Sequence, residues 1–319
     1  MKAGTAVLGI VFAAAASAQT QYPSKPVRIV APFAPGSTID IIGRLIAPRL
    51  SEALAHPVIV ENRPGAGGAV GLDAVAKSAP DGHVTAIGAL GPLAMNPALY
   101  PRSPFDPVRD FAPVTLLATG PVVIAVHPSV PARNVKELID LAKKNPGKLN
   151  FGSPGVGTSP HLTGELVKML TRTDIVHVPY KGNAEALTDL VSGRVSIVYT
   201  GVPPVVPLAK AGRVRLIATT GKSRIAGLPE VPTIAEAGLA DAQVLIWYGV
   251  VAPAATPREI VARLNREIVR VMQAPDIKER FIQQGIDPET STPDAFGKLI
   301  ADEYARWTKV IRAAGIKLE

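Results

Sequence analysis

The sequence predicts an α/β protein of two lobes with a cleft between them, and three observations carry that prediction. Apolar, β-rich runs alternate with helical patterns from Val27 onward, and the same alternation begins again in the middle of the chain. A last apolar run then leads into amphipathic helices at the C-terminal end.

In order, VRIVAPF reads as a strand, IDIIGRLIAPRLSEAL as a helix with an apolar stripe, PVIVENR as a strand, GAVGLDAVAKSA as a helix and HVTAIGA as a strand. Strand and helix in strict alternation predict a parallel layer covered by helices. The second unit runs PVVIAVHP, NVKELIDLAKKNP, KLNFGSP, PHLTGELVKMLTR and IVHVPYKG, and continues through NAEALTDLVSG, RVSIVYTG, VPLAKAG and RVRLIATTG. These segments place a second domain at 122–246, between a first part of domain one at 19–121 and its returning segment at 247–319. VLIWYGVVAP has the content of a strand crossing back, so the chain passes between the lobes twice. Two helices are expected after it, with Ile260, Leu264, Ile268 and Met272 in one stripe and Ile300, Tyr304, Trp307 and Ile311 in the other.

The 319 residues suffice for two domains with ordinary cores, and 47% hydrophobic against 19% charged residues excludes a disordered chain. Residues 1–18 read as a signal peptide: Lys2 supplies the positive start, TAVLGIVFAAAA the apolar core and Ala16-Ser17-Ala18 the cleavage site. That segment is shorter than the roughly 20 residues a membrane anchor needs, so an exported, periplasmic protein is expected. Zero cysteines remove disulfides, thiolate metal sites and cysteine nucleophiles. The net charge of +8 falls by one, to +7, when Lys2 leaves with the signal. No arginine-rich run or aromatic–basic interleaving points to nucleic acid, so the charge reads as solvated surface that also attracts anions.

Two loops carry the chemistry. FAPGSTID, from Phe33 to Asp40, joins the first strand to the first helix, and Ser37 with Asp40 has the spacing of a capping box. Ser37 then satisfies N–H groups of its own helix, or the free N–H groups bind an anion. FGSPGVGTSPHL has the same character in the second domain, with Ser159 expected as N-cap and Pro160 at the first helical position. Facing each other beyond the carboxyl ends of strands, the two helix ends would hold a carboxylate. The glycine run ENRPGAGGAVG lacks the third glycine of G-x-G-x-x-G, because Val70 stands there, and reads as a tight loop packing strand on helix. His56, His83, His127, His161 and His177 have no ligand spacing, and no metal or catalytic motif is present.

The phrases FAPGSTID, VIVENRPGAGG, APDGH, LGPLAMNPALY, RDFAPVTLLA, FGSPGVGTSPHL, VPYKG and LPEVPTIAEAG together resemble the Bug family of periplasmic solute-binding proteins, which serve tripartite tricarboxylate transporters. The resemblance runs in order from about Tyr22 to the C-terminus. It implies a Venus-flytrap fold, the periplasmic-binding-protein architecture. It also implies a receptor, without cofactor and acting as a monomer, that passes a small organic carboxylate to membrane transporter subunits. Carried over, the binding positions are Pro35, Gly36, Ser37, Thr38 and Asp40 in the first loop and Ser153, Gly157, Thr158, Ser159 and His161 in the second. Ala89 and Leu90, and Thr200 and Gly201, would line the cleft. Ser37 stands where many relatives have glycine, and Asn183 and Glu185 stand in a segment that often reads YKGGGPAL, so the cargo does not transfer by analogy. Two other readings stay open: an exported α/β hydrolase with Ser159 or Ser153 as nucleophile, and a sensor that reports a ligand to a signalling partner.

Overall fold

The computed structural model describes residues 22–100 and 103–314; the expected signal peptide, 1–18, lies outside them. Strands β1 (Val27–Ala31), β2 (Val58–Asn62) and β3 (Val84–Ala89) are separated by helices α1 (Thr38–Leu54) and α2 (Ala69–Ala76). A π-helical turn, Gly91–Met95, and the short α3 (Asn96–Leu99) then lead to β4 (Phe111–Val126). The second lobe adds α4 (Val135–Lys144), β5 (Asn150–Ser153), α5 (Ser159–Thr171), β6 (Val176–Pro179), α6 (Asn183–Val191), β7 (Ile197–Gly201), α7 (Val206–Lys210) and β8 (Arg215–Thr219). The chain returns through β9 (Leu245–Pro253) and closes with α8 (Arg258–Gln273), α9 (Pro275–Gln283), the two-residue β10 (Asp287–Pro288) and α10 (Pro293–Ala314).

The first lobe has the strand order β2-β1-β3-β9-β4-β10, and the second β8-β4-β7-β5-β6. β1, β2 and β3 run parallel, as do β5, β6 and β7, while β9 is antiparallel to both β3 and β4. β4 belongs to both sheets. Its residues Phe111–Pro121 pair with β9, and from Val122 onward it pairs with β7 and β8. The change of partner leaves the Val122 N–H without a ladder acceptor, and the Thr220 Oγ1 takes it at 2.9 Å. The same hydroxyl lies 2.7 Å from the Val244 carbonyl, so Thr220 ties the two crossings together.

The largest apolar cluster follows β4 through both lobes, from Ile29 and Leu72 to Phe151 and Leu162. A second cluster fills the outer side of lobe two, with Leu187 and Leu190 of α6 against Val123 and Val198. Two expectations need correction. The C-terminal segment folds as three helices rather than two, because Pro275 starts α9 immediately after α8 and buries Ile277 and Phe281. The strand expected at PVVIAVHP begins ten residues earlier, at Phe111, since register shifts beside Pro113 and Leu116 let the ladder continue through a segment that breaks strict alternation.

Gly249 of β9 lies under α10, where an added Cβ would stand 2.7 Å from the Phe296 Cε1 and 2.7 Å from the Thr115 carbonyl. Gly249→Ala is expected to cost about 1–3 kcal/mol by overpacking. Urea denaturation would show this as a lower midpoint at unchanged slope.

Candidate functional site

α1 begins where Ser37, in extended backbone, lets its Oγ accept the Asp40 N–H at 3.3 Å. Asp40 reaches one residue further back than a capping box requires, and its Oδ2 accepts the Gly36 N–H at 2.9 Å. Its Oδ1 accepts from Arg44 Nε at 3.0 Å and Asn62 Nδ2 at 2.9 Å. Burial alone would raise this carboxyl, but the bonds from Arg44, Gly36 and Asn62 outweigh it and hold Asp40 below the usual carboxylate range. Asp40 is therefore a loop brace, saturated by its own lobe.

The cap of α5 is Thr158, not Ser159: its backbone is extended, and its Oγ1 accepts the His161 N–H at 3.4 Å and donates to the Gly155 carbonyl at 2.7 Å. Ser159 becomes the first helical residue and Pro160 the second, which moves the Ser159 hydroxyl out of the capping role. A third helix start, that of α6, meets the other two. Gly182 packs on Ala34 of the first loop, and the Asn183 Nδ2 donates to Thr200 Oγ1.

The space between these starts is lined by Ser37, Thr38, Thr158, Ser159 and Asn183, with Phe33, Ala89, Gly201, Ile246, Tyr248 and prolines supplying apolar walls. No Asp, Glu, Lys, Arg or His is among the lining residues. Tyr248 and Thr38 both stand beside Gly201, and burial raises the Tyr248 phenol so that it stays neutral. An anion here would be held by backbone N–H groups, hydroxyls and the positive ends of three helices, each equivalent to about half a charge. The inner chamber is a small cavity of about 50 Å³. It shares Phe33 and Pro154 with an outer chamber of about 660 Å³, walled by Gly65–Gly68, Tyr180, Lys181 and Glu185.

Of the residues singled out from sequence, Ser37, Thr38, Ala89, Thr158, Ser159 and Gly201 line this inner chamber. Pro35 and Gly36 are exposed on the outer side of their loop, and Leu90 is buried at the start of the π-helical turn. Thr200 stands behind Asn183 as its acceptor. Ser153, fully buried, meets His177 Nε2 at 2.7 Å and not His161. His161 Nδ1 accepts the Gly157 N–H at 3.2 Å, and its ring stacks on His177 at 4.2 Å. His177 in turn stacks on Phe151 at 4.7 Å. Burial lowers His161 to about 4, with Lys168 adding to the shift, and lowers His177 to about 3, with His161 and Lys168 adding. Both rings are neutral supports of the second loop. Asn183 is not among the binding positions expected from sequence, yet VPYKGN is a third strand–loop–helix junction with the same small-residue signature. Trp247 points the other way, edge-on to Phe296.

The family model described as "Tripartite tricarboxylate transporter family receptor" matches residues 42–316. The chain belongs to this receptor family. The resemblance to Bug proteins agrees with a 36% identity to protein BugT of Bordetella pertussis over 320 residues, covering 98% of each chain. Among solved structures, Rpa4515 of R. palustris with adipate superposes with a TM-score of 0.90 at 37% identity, covering 93% of this chain and 99% of that one. MatC from Rhodopseudomonas palustris with bound malate gives 0.87 at 32% identity, covering 91% and 100%. The receptor thus has the α/β periplasmic-binding-protein fold, and among its described residues no helix is long and apolar enough to cross a membrane.

Between about pH 4 and 6.5 the folded receptor binds fewer protons at His161 and His177 than the unfolded chain does. Stability is therefore complete above pH 6.5 and falls as pH drops through that window. The melting temperature is expected to decline from pH 6.5 to 4.5, and to decline less in His177→Gln, as scanning calorimetry would show.

Proposed function

We propose that this receptor captures a small organic carboxylate in the inner chamber and, closed around it, presents it to the membrane subunits of a tripartite tricarboxylate transporter. The observation that carries the reading is the convergence of three helix N-termini on a chamber without a charged side chain. Such a site stabilises a carboxylate through charge-assisted hydrogen bonds in a desolvated space. Adipate and malate in the related structures supply the ligand class.

Thr38, Ser37, Thr158, Ser159 and Asn183 are the groups proposed to meet the ligand, with the Gly201 and Ala89 backbones beside it. Pro35, Gly36, Asp40, Ser153, Gly157 and His161 hold the loops that carry them. The jaws are 19–121 with 247–319, and 122–246. The protein is exported with cleavage near Ala18, acts as a monomer and carries no catalysis. Against a hydrolase, Ser153 is sealed from the chamber, and His161, two residues beyond Ser159, accepts a loop N–H and stacks on His177.

A thermal-shift screen of mono-, di- and aromatic carboxylates, starting with adipate and malate, tests the reading, because a ligand of the folded state raises the melting temperature. No shift with any acid, or covalent labelling of Ser159 by a serine-directed probe, would sink it. The Ser159 Oγ has no hydrogen bond within the described residues, so Ser159→Ala leaves the fold intact. Losing one hydrogen bond to a charged group costs about 1.5–3 kcal/mol, so calorimetry should find affinity for the acid weakened roughly ten- to a hundredfold.

A further inference from the structure

The glycine run ENRPGAGG walls the outer chamber but takes no part in the inner one, and it also makes a contact across the cleft. After β2 the backbone passes through four successive residues at positive φ: Gly65 at 138°, Ala66 at 46°, Gly67 at 61° and Gly68 at 98°. Such a path is not one an L-residue chain holds by itself, and Ala66 in particular is strained there. Asn96 holds it. Its side chain, 2% exposed at the start of α3, donates from Nδ2 to the Ala66 carbonyl at 2.9 Å and to the Gly67 carbonyl at 3.3 Å.

The loop so fixed touches the other lobe. Gly67 sits so close to the Val156 carbonyl, in the loop before α5, that an added Cβ would collide with it. On the neighbouring residue, a Cβ at Gly157 would stand 3.1 Å from the Asn96 Cγ. The Asn96 amide is thus packed between Gly67 of its own lobe and Gly157 of the opposite one. A third close approach lies alongside, where a Cβ on Gly91 would be 2.8 Å from the Ser159 N.

We propose that the Gly65–Gly68 loop is a latch that stabilises the closed receptor, with Asn96 as its positioning residue. The Asn96 bonds stay within lobe one and persist when the lobes part, so the latch is preformed and pays no ordering cost on closing. Only its seat, Val156 and Gly157, arrives with lobe two. The glycine at 67 is required by the approach of the opposite backbone, by the Asn96 amide beside it in its own lobe, and by its φ, so Asn96→Ala, which adds no atom, is the cleaner test of the latch. The inference rests on the reading of the protein as a closing receptor, but the latch contacts involve no ligand and so bias closure in the ligand-free protein too.

The absence of cysteine makes the test direct. Lys77→Cys at the end of α2 and Lys136→Cys in α4, both exposed, take one spin label in each lobe. Electron double resonance then gives the distance between lobes, without ligand and with saturating adipate. The labelled parent is expected to show a short-distance, closed population without ligand, reduced at least tenfold in Gly67→Ala and in Asn96→Ala. Gly212→Ala is the control for backbone strain alone: its φ is +66° and nothing lies within 4 Å of the added Cβ, so its distribution should match the parent. A parent with no closed population without ligand, or an unchanged distribution in Gly67→Ala and Asn96→Ala, would overturn the latch. If circular dichroism shows Gly67→Ala unfolded, Asn96→Ala decides. Failure of adipate and the other acids to shift the parent would count against the carboxylate reading and leave the ligand-free comparison standing.

Discussion

A helix start buried between two lobes leaves N–H groups that neither its own chain nor water can readily satisfy, and this constraint organises the receptor. Ser37 and Thr158 each take one N–H of their helix, and Asp40 takes another from the loop in front. The starts of α1, α5 and α6 line one chamber. A side-chain cation there would have to be desolvated on every closing, at a cost of several kcal/mol per ion. Backbone dipoles fixed by the fold carry the same sign without that penalty. The acidic and basic groups nearby, Asp40 with Arg44 and Lys181 with Glu185, are spent on bracing loops or stand at the outer chamber.

The support behind the second loop follows the same economy. His161, His177 and Phe151 form a stack whose polar edges are used on Gly157 and Ser153, so the loop is stiffened without introducing charge. A serine 2.7 Å from a histidine invites a catalytic reading, but Ser153 is fully buried, His177 is half-buried, and neither lines the inner chamber. The position of this pair, rather than its chemistry, assigns its role.

Much of this was legible in the sequence because it is local. Strand–helix alternation marked the parallel layers and the first two helix starts, and the motifs in FAPGSTID and GTSPHL marked their loops. The cap of α5 was read one residue late, since Thr158 and Ser159 are equally able to cap and only backbone geometry separates them. β4 was read as half its length because Pro113 and Pro121 lie inside it, one at a register shift and the other at the change of sheet. Asn183 is absent from the expected binding positions because nothing local tells which side of a third loop faces in. The meeting of Gly67 with Val156 is a contact between segments some ninety residues apart, and no pattern in either segment announces it.

β4 also determines what kind of object this protein is. One unbroken strand supplies residues to both sheets, and Thr220 ties the residue where it changes partner to the returning chain, so each lobe's sheet is built on a part of the same strand. Separating the jaws means cutting the gene at both crossings, which leaves three segments and divides β4 between two of them. The lobes are thus mechanical parts without being evolutionary modules: loops can be exchanged between relatives to change cargo, whereas a jaw grafted from another receptor would have to bring its half of β4 in register. The same strand makes the hinge a continuation of both sheets rather than a linker between them.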